Sequence, residues 1–179
     1  MQTLRQIEAL IAGGYQCVTV CYFEYDYTTV ELFKRAGSEV VCLSAYGDRP
    51  QGQRNVYKFL KAGLKRVVEK YKPSIAHVQY MNPGAMPIWL LHRMGVKTIL
   101  ATSHTNADIY KSLKLIHFLQ RHILKAFICV TENAERSFFG KSMKRPACTG
   151  LFVHAAIRTT TAGGTFFVRD FSLFLEKGT

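Results

Sequence analysis

Acidic residues are scarce in this 179-residue sequence, 12 Asp and Glu against 24 Lys and Arg, which gives a net charge of +12 with His neutral. An anionic partner is therefore expected, and nucleotide phosphates, a membrane surface and nucleic acid all satisfy the charge. Long apolar runs are missing too. No segment reaches the ~18 uninterrupted apolar residues of a membrane span. At the start of the chain, Arg5, Gln6 and Glu8 fall where a signal peptide has its apolar core, so neither an exported nor an integral protein is expected. The five cysteines (Cys17, Cys21, Cys42, Cys129, Cys148) are odd in number and lack CxxC spacing. Most lie in apolar strand-like runs, and they read as free core thiols in a reducing, cytoplasmic compartment. Internal repeats and low-complexity runs are absent. What is present, 48% apolar and 20% charged residues, is the composition of a globular domain.

Along the chain, helical and strand-like patterns alternate. Leu4, Ile7, Leu10 and Ile11 recur at helical spacing and Gly13-Gly14 provide a stop. CVTVCYF (17–23) reads as a strand. Thr28 with Glu31 forms a capping-box pattern before a helix closed by Gly37, and EVVCLS (39–44) is the next strand. AYGDRPQGQ (45–53) is a loop, followed by a helix over 54–72 whose apolar residues are Phe59, Leu60, Leu64, Val67, Val68 and Tyr71. Then come strand SIAHVQY (74–80), a helix over 88–94 opened by Pro87 and closed by Gly95, a strand over 96–102, a helix over 112–124 and strand AFICVT (126–131). This alternation predicts an α/β fold: a Rossmann-like, doubly wound parallel sheet in a single domain, with ligands at the carboxyl ends of its strands.

His104 lies at that edge, where VKTILATSHT (96–105) stops in short polar residues. It has two readings: a histidine that caps a helix or bonds a backbone carbonyl, or a ligand-binding group. Ser103, Thr105 and Asn106 on the same loop make a surface rich in groups that bind hydroxyls, as sugar recognition requires.

The succession KPSIAHVQY, MGVKTILATSHT and FICVTENAERSF resembles the N-terminal domain of family 4 retaining glycosyltransferases of the GT-B fold, over about residues 2–140. The resemblance implies transfer of a sugar from a nucleotide-sugar donor to a saccharide or lipid-linked acceptor, with no cofactor and no catalytic metal. It makes His104 the catalytic-cleft histidine. His77 corresponds to the first histidine of a His-x-His pattern whose second is Gln79 here, and Thr131-Glu132 correspond to a Ser-Glu pair. A satisfied, buried His77 remains the alternative to a functional one, and His77 and Gln79 share one side of their strand.

Measured against that family, the chain reads as truncated at both ends. An opening strand with a glycine-rich loop and a donor-binding second domain with Glu-x7-Glu are expected but missing, and the resemblance ends near residue 145. Residues 1–145 are then an incomplete acceptor-side domain. Residues 146–179 are an atypical tail in which TGLFVHAAI takes the place of the last strand. With the first strand missing from the centre of a 3-2-1-4-5 sheet, the strands at 17–23 and 74–80 face an unfilled gap. Unpaired rows of N–H and C=O and marginal stability follow, unless a tail segment such as TFFV (165–168) enters it. A stand-alone module that binds a nucleotide or a partner without catalysis is the competing reading.

On the predicted basic helix, Lys58, Lys61, Lys65 and Arg66 form either a solvated face or a docking surface for anionic lipid at the inner face of the cell membrane. Nucleic acid is not expected, because the apolar stripe consumes Tyr57, Phe59 and Tyr71 and leaves no stacking platform.

Overall fold

The computed structural model describes residues 2–23, 25–44, 48–80, 85–110, 112–140 and 171–177. Among the described residues, six helices and six strands follow one another as α1 (Gln2–Ala12), β1 (Tyr15–Cys21), α2 (Tyr27–Arg35), β2 (Glu39–Cys42), α3 (Gln53–Tyr71), β3 (Ile75–Tyr80), α4 (Ala85–Arg93), β4 (Thr98–Ser103), α5 (Lys114–His122), β5 (Ala126–Cys129), α6 (Glu132–Phe139) and β6 (Phe171–Lys177), with a 3-10 turn at Ala107–Ile109. The fold is α/β and Rossmann-like, and the described strands form a six-stranded sheet in the order β2-β1-β6-β3-β4-β5. β1 runs parallel to β2, and β3, β4 and β5 run parallel to one another.

The two parallel groups lie on opposite sides of a central position, as the sequence predicts. That position is not empty. β6 occupies it antiparallel to both neighbours, pairing Tyr15–Cys21 of β1 and Ile75–Gln79 of β3. The expected unpaired edges are therefore absent, and the segment that fills the gap is Phe171–Lys177. TFFV (165–168) and TGLFVHAAI lie outside the described residues.

Alternation along the strands distributes side chains to two helical layers. Val18, Val20, Ala76, Val78, Ile99 and Ala101 point to one face and pack under Val56, Leu60, Leu64 and Val67 of α3, Ile88, Leu90 and Leu91 of α4 and Leu119 of α5. On the opposite face α1 and α2 bring Ile7 and Phe33 together beside Val40. α3 carries the apolar stripe expected of it, although Tyr57 is exposed instead of packed.

Several local expectations are corrected. The cap of α2 is Asp26, whose backbone is extended and whose carboxylate accepts from Thr29 N at 2.7 Å and from the Thr29 hydroxyl at 2.6 Å. Thr28 is already helical, and Glu31 instead pairs with Lys34 at 2.8 Å. α4 starts at Ala85, so Pro87 sits in its first turn, where a missing N–H costs no helix bond. Among the described cysteines, Cys17 and Cys21 are core thiols, Cys129 is half-buried, and Cys42 is exposed at the edge strand. α6 was not anticipated. Thr131 caps it by accepting from Ala134 N at 3.1 Å, and Gly140 closes it in the left-handed region at φ 74°.

Candidate functional site

Three residues of β3 and β4 and one just beyond β4 project from the sheet on the same side. His77 and Gln79 are two apart on β3. Gln79 stands opposite Thr102 in register, and His104 follows Thr102 by two. This is the side covered by α1, and Gln6 of that helix reaches over to them. Gln79 Nε2 donates to Gln6 Oε1 at 2.9 Å, and His104 Nε2 donates to Gln79 Oε1 at 2.7 Å. His77 Nε2 and Thr102 Oγ1 share a hydrogen bond of 2.7 Å, with the Gln79 amide nitrogen 3.3 Å from the same ring nitrogen.

The bonds define a charge state as well as a geometry. Because an amide oxygen only accepts, the proton of His104 sits on Nε2, and in the neutral ring Nδ1 keeps its lone pair. No bond to Nδ1 occurs among the described residues. Burial holds the pKa of His104 below the ordinary histidine value. His77 is more deeply enclosed, and burial, with the His104 charge as a smaller contribution, lowers its pKa to about 4. Both rings are neutral near pH 7. His104 is only half-buried, whereas His77, Gln79 and Thr102 are buried.

Ser103 alternates away from this side. It is fully buried and its hydroxyl donates to the Thr105 carbonyl at 3.1 Å, tightening the turn after β4. The Thr105 hydroxyl is buried and has no hydrogen-bond partner among the described residues. Burial raises the Tyr110 pKa to about 12. Asn106 is exposed and precedes the 3-10 turn without capping it through its side chain. That turn is held by Ala107 N donating to Ser137 Oγ at 2.9 Å.

Thr131 and Glu132 do not join the cluster. Thr131 is occupied as the α6 cap, and Glu132 accepts from Arg136 at 2.6 Å one helical turn on, with both side chains solvent-facing. Their position after β5 is the carboxyl edge, but local helix chemistry uses both side chains. Gln6 and Thr102 are the members that sequence reasoning missed. Thr102 was accessible in principle from its two-residue spacing to His104; Gln6 carried no signal, being a polar residue among solvent-facing helix positions.

Lys58, Lys61, Lys65 and Arg66 are all exposed on α3, and Lys65 lies 3.6 Å from Glu69. Nearby, Lys70 pairs with Glu39 at 3.1 Å and the Tyr71 hydroxyl donates to the same carboxylate, tying α3 to β2. The basic face is thus partly neutralised at its carboxyl end. Among the described residues no cluster of His, Cys, Asp and Glu suits a metal ion, and no helix is long and apolar enough to cross a membrane. A shallow surface cavity of about 350 Å³ lies on α2, lined by Tyr27, Thr28, Glu31, Leu32 and Arg35, and contains none of the predicted site residues. Comparison with protein-family models, with curated proteins and with solved structures finds no match to this chain.

Proposed function

We propose that this chain is the acceptor-side domain of a retaining glycosyltransferase, with His104 placed against the sugar to be transferred. The observation that carries the reading is the Gln6–Gln79–His104 chain of hydrogen bonds at the carboxyl edge of the sheet. It fixes the imidazole in one tautomer and leaves a neutral ring with an acceptor nitrogen at a half-buried position. Such a nitrogen suits a sugar hydroxyl, since it can take a hydrogen bond without the desolvation cost of a charged group. Gln79 takes the place of a second histidine and acts here as the positioning residue for His104. The nucleotide-sugar would be held chiefly by a second domain, so this chain's own contribution is to orient the acceptor and stabilise charge near the transferred sugar. The exposed lysines of α3 fit a cytoplasmic protein that approaches anionic lipid to meet a lipid-linked acceptor.

The test is a side-chain NMR titration of the full chain with a panel of mono- and oligosaccharides and of nucleotide-sugars. Saccharide is expected to shift the His104 ring and Gln79 amide signals, and His104→Ala to abolish the response; nucleotide-sugars alone are expected to leave them unchanged. If no saccharide moves either signal, the reading fails. A second reading, a stand-alone binding module without catalysis, is favoured by the continuous sheet that the chain completes with its own β6. A nucleotide or nucleotide-sugar that raised the unfolding temperature of the chain by itself would favour the module.

A further inference from the structure

β1 and β2 end on cysteines that the parallel register sets directly opposite one another, Cys21 against Cys42. Adjacent strands stand ~4.8 Å apart, and disulfides span Cα separations of ~4.4–6.8 Å, so the backbone requires little movement to join them. Their environments differ. Cys21 is buried beside Tyr25 and Val30, while Cys42 is exposed on the edge strand. The two neighbouring thiols act on one another and the Lys34 ammonium of α2 adds a favourable charge at Cys42, while the Tyr25 hydroxyl donates its proton to the Ser44 carbonyl at 2.5 Å. Asp26, on the loop between them, acts on Cys21.

We infer that Cys42 and Cys21 form an oxidisable pair, Cys42 being the sulfur that attacks a peroxide and Cys21 the thiol that resolves the product. An exposed sulfur set in register against a buried thiol, with the Lys34 ammonium adding positive charge, is a setting that makes a cysteine reactive. In keeping with this, the Cys42 pKa falls to about 6, first through the neighbouring Cys21 thiol, while that of Cys21 rises through Cys42 and burial. In the first step the Cys42 thiolate attacks a peroxide oxygen. The O–O bond breaks, the sulfenic acid forms, and the departing oxygen takes a proton to leave as water or an alcohol. In the second, Cys21 loses its proton and attacks the Cys42 sulfur; the S–S bond forms, the S–O bond breaks and water leaves. The two thiols lose two electrons and the peroxide gains them. A small-molecule dithiol reverses the change by exchange.

The pair is independent of the sugar site and its test does not use sugars. The reduced full chain is treated with hydrogen peroxide and followed by intact mass and peptide mapping. Loss of two hydrogens with a Cys21–Cys42 cross-link is expected. Cys21→Ser should instead retain one oxygen on Cys42 as a dimedone-reactive sulfenic acid, and Cys42→Ser should form no cross-link. Should a variant fail to fold, the wild-type chain alone decides through iodoacetamide labelling at pH 6. There a thiol of pKa about 6 is roughly half ionised against about 0.3% for an ordinary cysteine. The lower nucleophilicity of the more acidic thiol takes back about an order of magnitude, leaving an advantage of about tenfold over the denatured chain. Cross-links to other cysteines, or Cys42 labelling no faster than the denatured chain, would overturn the inference.

Discussion

Removing residues 171–179 should abolish cooperative folding. β6 pairs seven residues of β1 on one side and five of β3 on the other. At roughly one ladder bond per residue pair, its loss removes about a dozen hydrogen bonds. Each contributes about 0.5–1.5 kcal/mol net, so the total rivals the ~5–15 kcal/mol stability of a whole domain. The strands it leaves behind become edges in the middle of the sheet, flanked on both faces by helices that keep water from their N–H and C=O groups. A milder perturbation is Leu173→Pro. Leu173 stands opposite both Thr19 and His77, and proline there deletes one ladder donor and orphans a buried carbonyl, at about 2–4 kcal/mol together. Urea unfolding followed by circular dichroism, with size-exclusion chromatography for aggregation, reads both. The full chain should unfold in one transition, Leu173→Pro at a lower urea midpoint, and the truncated chain without a transition. Added peptide covering residues 171–179 should restore part of the signal in proportion to its concentration. A truncated chain that unfolds cooperatively at the full-length midpoint would refute the central placement of β6.

Acid should destabilise the protein through His77: its folded pKa of about 4 lies below the unfolded 6.5, so the unfolded state binds the extra proton between these values. The associated stability is complete above about pH 6.5 and lost by about pH 4, up to about 3 kcal/mol, and His77→Gln should flatten that slope in unfolding measured from pH 7 to 4.5. Lys72, the non-glycine residue at φ 44° that caps α3, should accept glycine with a gain of about 1 kcal/mol, visible as a raised melting temperature; a loss would mean that its side chain makes a contact worth more than the backbone strain. In a complete transferase containing this domain, His104→Ala should lower turnover while costing only about 1–3 kcal/mol for the unpaired Gln79 oxygen; unchanged turnover would reduce His104 to a structural residue. Replacing Lys58, Lys61, Lys65 and Arg66 with Gln should weaken co-sedimentation with anionic vesicles, and wild-type protein that stays in the supernatant at low salt would end the membrane role.

Some features were decided locally and could be read from the chain. The apolar stripe of α3 needs only helical periodicity, and the shared side of His77 and Gln79 needs only the two-residue repeat of a strand. The side-by-side placement of β1 with β2 and of β3, β4 and β5 follows from short helical connections that return the chain in parallel. Other features depended on groups far apart. Asp26 and Thr28 are both able to cap a helix, and the extended backbone at Asp26 chooses between them. FSLFLEK is a short apolar segment whose local pattern names no partner; its central, antiparallel position arises because two rows of buried backbone groups need pairing and only a distant part of the chain answers them. The approach of Gln6 to Gln79, separated by 73 positions, and the opposition of Cys21 and Cys42 are likewise products of packing. Periodicity determines which face a residue takes, since it is a property of one element, whereas the partner across that face depends on how elements dock, which no single element encodes.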